Sequence, residues 1–78
     1  MTNYALTNGQ RNALHVLVAL DHVGQEARTG RSTSAASGHV NAKAANSLCK
    51  LGLAKIRLGE MSEWVRPTEQ GRRMCDPT

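Results

Sequence analysis

The sequence predicts a small α+β domain, mainly α, with three core helices, a two-stranded β-hairpin and a short C-terminal helix. Three observations predict it. Apolar residues recur at helical spacing from Ala13 to Leu20, and again from Ala44 or Ala45 to Leu51. Ala54 to Leu58 switches to strict alternation, with Ala54, Ile56 and Leu58 on one face and Lys55 and Arg57 on the other. Glycine falls where these patterns stop, at Gly24, Gly52 and Gly59.

The 78 residues fit one domain (1–78), near the lower limit at which a single core sustains itself. There is no Phe, one Trp (Trp64) and one Tyr (Tyr4), so Leu, Val, Ile, Ala and Met must build the core. Such a thin core suits marginal stability or dimerisation. Ten Lys and Arg against six Asp and Glu give a formal charge of +4, which suits an anionic partner. No apolar run approaches the roughly 18 residues of a membrane span. The polar start Met1-Thr2-Asn3-Tyr4 is unlike a signal peptide, so the expected location is cytoplasmic. Cys49 and Cys75 lack the paired spacing of a zinc site. In a reducing compartment each reads as a small apolar residue rather than a bridge partner.

Thr7-Asn8-Gly9-Gln10 has the spacing of a capping box, in which hydroxyl and amide side chains satisfy each other's backbone N–H groups. It opens helix 1, about Asn8 to Val23, with Ala13, Leu14, Leu17, Val18, Leu20 and Val23 in its apolar stripe. His15 and His22 share this helix, but without a third ligand they read as exposed histidines beside the stripe, not a metal pair. Gln25 to Ser34 reads as a polar loop. Arg28 and Arg31 flank Thr29-Gly30 there, suited to a phosphate contact but without the spacing or lysine of a nucleotide-binding loop.

Ser32 to Ser34 offer N-caps for a very short helix 2, about Ser34 to Ser37, ended by Gly38. Asn41 caps helix 3, Ala42 to about Leu51. Its alanines, Leu48 and Leu51 face the core with Val40, and Lys43, Asn46, Ser47 and Lys50 fall largely on the other side. That outward set combines ammonium groups for phosphates with an amide and a hydroxyl able to meet base edges, although a plain solvated face would look similar. Gly52 suits the left-handed position after a helix. The first strand, Ala54 to Leu58, turns at Gly59 to Ser62 and returns as Glu63 to Arg66, stopped by Pro67. Trp64 is expected to lean on the hairpin and seal the core, since one aromatic alone gives little support to a base-stacking platform. Thr68 caps a closing helix with Glu69 in its first turn, Arg72 and Arg73 towards its end, and Met74 facing the core. Cys75 to Thr78 are expected to fray.

In this order of elements the chain resembles a winged helix-turn-helix protein, the DNA-binding fold of many bacterial and phage regulators. The residues that carry the likeness are Ala45-x-x-Leu48-x-x-Leu51-Gly52-Leu53-Ala54 and Trp64-Val65-Arg66-Pro67-Thr68-Glu69-Gln70-Gly71-Arg72. The second is similar to the strand and helix start that close many such domains, including those of the MarR type. Pro67 departs from the usual aliphatic residue, helix 2 is abbreviated, and helix 3 has two lysines and no arginine. The resemblance implies that Lys43, Asn46, Ser47 and Lys50 enter the major groove. It makes Arg57 and the Gly59 to Ser62 turn a wing, and brings Arg28 and Arg31 to the DNA backbone.

The expected function is therefore a sequence-specific double-stranded DNA-binding transcription regulator from a phage or mobile element. Arg28, Arg31, Lys55, Arg57 and Arg66 would meet phosphates while helix 3 reads bases, and so small a domain would act as a homodimer on a palindrome. The alternative is a module that binds a host or partner protein, motivated by Glu60 and Glu63 at the hairpin tip. No nucleophile, paired carboxylate or ligand cluster points to an enzyme, a metal or a cofactor.

Overall fold

A computed structural model describes residues 6–75. The expectations for the start, Met1 to Tyr4, and for the end, Asp76 to Thr78, lie outside these residues. The chain runs α1 (Asn8–His22), β1 (Ala27–Gly30), β2 (His39–Asn41), α2 (Ala42–Lys50), β3 (Ala54–Leu58), β4 (Glu63–Pro67) and α3 (Glu69–Cys75).

The capping box opens α1 as its spacing predicts. The Gln10 amide donates to the Thr7 hydroxyl at 3.2 Å, and the Thr7 amide donates to the Gln10 side-chain oxygen at 3.0 Å. Ala13, Leu14, Leu17, Val18 and Leu20 are buried, but Val23 is 68 % exposed because the chain leaves the helix there. Gly24 makes that exit at φ 75°, where a side chain would be strained.

The segment between α1 and α2 departs from expectation. The expected loop contains strand β1, and the expected second helix is a turn. One helix-like turn does form: the Ser37 amide donates to the Ser34 hydroxyl, and the Gly38 amide to the Ala35 carbonyl. Gly38 then takes φ 71°, and the backbones of His39 and Ser34 exchange hydrogen bonds at 2.8 and 3.0 Å. That pairing folds the segment back into β2 before a second helical turn can start.

The sheet has the order β2-β1-β4-β3. β1 lies parallel to β2, with Arg28 beside His39, and antiparallel to β4, with Ala27 beside Val65 and Arg28 beside Trp64. β3 and β4 form the expected hairpin, but the returning strand takes in Pro67, opposite Ala54. This four-stranded mixed sheet overturns the winged helix-turn-helix and the mainly-α reading. That architecture needs three core helices and a hairpin wing; here strands stand where the second helix and its preceding loop were expected.

The Asn41 side chain caps α2 by accepting from the Lys43 and Ala44 amides. It also donates to the Arg31 carbonyl at 2.9 Å, while the Asn41 amide donates to the Thr33 hydroxyl at 3.0 Å. One asparagine thus starts the helix and clips residues 31–33 against it. After α2, Gly52 turns at φ 78° and Leu53 folds back into the core, its amide donating to the Leu48 carbonyl. The Thr68 hydroxyl accepts from the Gly71 amide at the start of α3 and donates to the Gly52 carbonyl, tying both turns together.

The largest buried side chains are Leu14, Leu17, Val40, Leu48, Leu53 and Val65. On the strands Ala27, Val40, Ala54 and Val65 face this core, and the intervening residues point the other way. The helices cover one face of the sheet and leave the other open. Leu51, Ile56 and Met74 pack at the margin of the core, whereas Leu58 is 77 % exposed. Cys49 is exposed and not the apolar filler expected; Cys75 is half-buried, which raises its thiol pKa. Among the described residues no helix is long and apolar enough to cross a membrane.

Candidate nucleic-acid interface

The residues expected to meet a single DNA duplex are divided between two surfaces. Lys43, Asn46, Ser47 and Lys50 lie on α2, at positions i, i+3, i+4 and i+7, opposite its buried stripe of Ala44, Ala45 and Leu48. Lys43, Asn46 and Lys50 are exposed and Ser47 is half-buried. No carboxylate occurs in the helix.

Arg31 joins this surface. With Ser32, Thr33, Asn41, Lys43 and Ser47 it lines an open cleft of ≈ 500 Å³ closed on its far side by the start of α1. The cleft contains hydroxyls, amides and two cations, and it too is free of carboxylates. The capping and clipping bonds of Asn41 fix its floor.

The other surface is the open face of the sheet. Register places His39, Arg28, Trp64 and Arg57 in one row across β2, β1, β4 and β3. The Arg28 guanidinium carbon stands 5.4 Å from the Trp64 ring centroid and that of Arg57 stands 5.9 Å away, within the range of cation–π attraction. Lys55 and Arg66, paired across β3 and β4, form the next row. Arg28, Lys55, Arg57 and Arg66 are all exposed.

Trp64 therefore leans along the hairpin, as expected, but does not seal the core. Its indole lies on the open face, and Gly59 makes room for it: a Cβ at 59 would stand 2.6 Å from the indole nitrogen. Arg28 and Arg31, expected as a phosphate-binding pair, are not brought together; one joins the sheet face and the other the cleft.

Glu26 is the carboxylate on the open face. It accepts from Arg57 at 2.6 Å, and Arg66 lies 3.9 Å away. The Arg57 hydrogen bond, helped by the charges of Arg57 and Arg66, holds the Glu26 carboxyl below its ordinary pKa. Arg72 of α3 pairs with Asp21 of α1, and Arg73 with Glu69 within α3. Among the described residues, Arg28, Arg31, Lys43, Lys50 and Lys55 make no ion pair.

A signal for this division stands in the sequence. From residue 27 to residue 59 there are six Lys and Arg and no Asp or Glu. That stretch supplies all the cations of both surfaces but Arg66, whereas Trp64 and Arg66 join the sheet face through long-range register and Glu26 through its ion pairs. His15 and His22 are exposed on α1, and the described residues hold no cluster of three His, Cys, Asp or Glu side chains fit for a metal ion. No family model matches the chain, and no curated protein or solved structure matches it either.

Proposed function

We propose that this chain is a non-catalytic DNA-binding protein that docks α2 in the major groove of a duplex. The observation that carries the reading is the carboxylate-free stripe Lys43-Asn46-Ser47-Lys50 with the Arg31 cleft at its N-terminal end. The groove is about 12 Å wide and admits one α-helix. Lys43, Lys50 and Arg31 are placed for phosphates flanking it, and the Asn46 amide for a base edge. Hydroxyls of Ser32 and Thr33 border the same cleft and can donate to a phosphate oxygen. The short α2 contacts few base pairs, so useful affinity calls for two copies on a symmetric site, and a regulatory role follows from such binding.

A mobility shift on duplexes selected from a random pool tests this. Binding should weaken steeply with salt, and Lys43→Ala with Lys50→Ala should lower the log–log salt slope by about 2 for each bound copy. Failure to shift any duplex at low salt would sink the proposal.

One feature favours a second reading, the protein-interaction module. Met61 is 96 % exposed and Leu58 77 % exposed at the hairpin tip, beside Glu60 and Glu63. Apolar groups ringed by acid suit a protein partner better than a polyanion. A stoichiometric partner recovered in a pull-down after nuclease treatment, and lost on Met61→Ser, would support it.

A further inference from the structure

We propose that the open sheet face is a second site, one that takes a single strand of nucleic acid by stacking a base on Trp64 and seating phosphates on Arg28, Lys55, Arg57 and Arg66. This goes beyond the duplex reading and does not depend on it.

The placement of Trp64 is the decisive observation. The indole is the largest side chain of the protein, yet it lies half-buried on the side of the sheet away from the core. It sits on β4, an inner strand, with cations at both register neighbours. Four cations face one carboxylate, so the surface complements a polyanion and is poorly suited to an apolar protein patch. One ring alone is a weak platform, but the guanidiniums on both sides of this one add the backbone contacts that a phosphodiester strand needs.

Width separates a single strand from a duplex. Three strand-to-strand gaps of about 4.8 Å span roughly 14 Å before side chains are added, more than the roughly 12 Å of a major groove. The whole sheet cannot enter the groove, and from outside it a duplex shows Trp64 no unstacked base. A single strand laid across the row can offer both a base to the indole and phosphates to the arginines on each side. Glu26 pairs with Arg57 and Arg66 on this face and competes with a phosphate for their head groups.

Trp64 is the one tryptophan of the chain, so its emission reports on this face alone. The 78-residue chain is titrated with oligo-dT of about 12 nucleotides, a length in the range one such module covers, and with an abasic deoxyribose-phosphate strand of equal length. Oligo-dT should quench Trp64 emission and bind more tightly than the abasic strand. By anisotropy of labelled oligo-dT, Trp64→Leu should weaken binding about tenfold and Trp64→Phe much less. Arg28→Ala should weaken it with the indole intact, which keeps the test usable if Trp64→Leu unfolds. Lys43→Ala with Lys50→Ala should leave oligo-dT binding unchanged while impairing duplex binding. Absence of quenching at low salt, equal affinity for the abasic strand, or loss of oligo-dT binding only in the lysine variant would overturn the proposal. The first two outcomes leave the duplex reading standing, and failure of duplex binding alone leaves this one standing.

Discussion

At the scale of single residues, Gly71 shows how closely α3 is held. A Cβ there would run into the carbonyl oxygen of Leu53 and would meet Leu14 at 3.2 Å. Gly71 is buried within α3, where alanine would ordinarily add about 0.5–1 kcal/mol of stability by lowering backbone entropy in the unfolded chain. The obstacle is backbone, and the Leu53 carbonyl also accepts from the Thr68 amide, so it has little freedom to retreat. Steric cost therefore exceeds propensity. Gly71→Ala should lower unfolding free energy by about 2 kcal/mol in urea titrations; a variant as stable as the parent would contradict this packing. Trp64 is the counterpart, a residue whose position reflects the open face and not the core.

At the scale of elements, the Glu26 link between the entry to β1 and strands β3 and β4 sets a pH dependence. The carboxyl is held below its ordinary pKa by Arg57, with Arg66 contributing. Its pairing therefore stabilises the fold above the ordinary carboxylate range and is lost as pH falls through the lowered value. Protonation also frees Arg57 and Arg66 for a phosphate. Oligo-dT affinity should rise as pH drops through that window, and Glu26→Gln should show the gain already at neutral pH, about two- to fivefold, the size of one screened charge pair. His39 on the same face is common to both proteins, so their difference isolates Glu26. Identical profiles for parent and variant would contradict the assignment.

The same scale explains what the sequence made legible. α1, α2, the hairpin and α3 were readable because each carries its own signal: a capping box at Thr7 and Gln10, a cap at Asn41, alternation from Ala54 to Leu58, and Thr68 before α3. β1 carries none. It buries Ala27 and is otherwise polar, so its strand character comes from pairing with Val65 and Trp64 far along the chain. β2 is three residues long, and the serines before it advertise helix caps that one positive φ at Gly38 cancels. The α2 stripe was legible from spacing alone. The row of His39, Arg28, Trp64 and Arg57 was not, because register between distant strands assembles it.

At the scale of the whole molecule, the four-stranded sheet changes what the positive charge means. In a winged helix-turn-helix the helix and wing would approach one duplex together. Here α2 turns its lysines away from the sheet, and Lys55, Arg57 and Arg66 point from the opposite side, so one straight duplex cannot engage both sets at once. The fold thus presents two cationic faces, and the proposed duplex and single-strand sites lie one on each. Amide chemical-shift mapping of the isotope-labelled protein tests this most directly, with a selected duplex and with oligo-dT added in separate titrations. The duplex should move Arg31, Lys43, Asn46, Ser47 and Lys50, while oligo-dT should move Arg28, Lys55, Arg57, Arg66 and the Trp64 indole. Both ligands shifting one common set of residues, or neither shifting either set, would contradict the two-face arrangement.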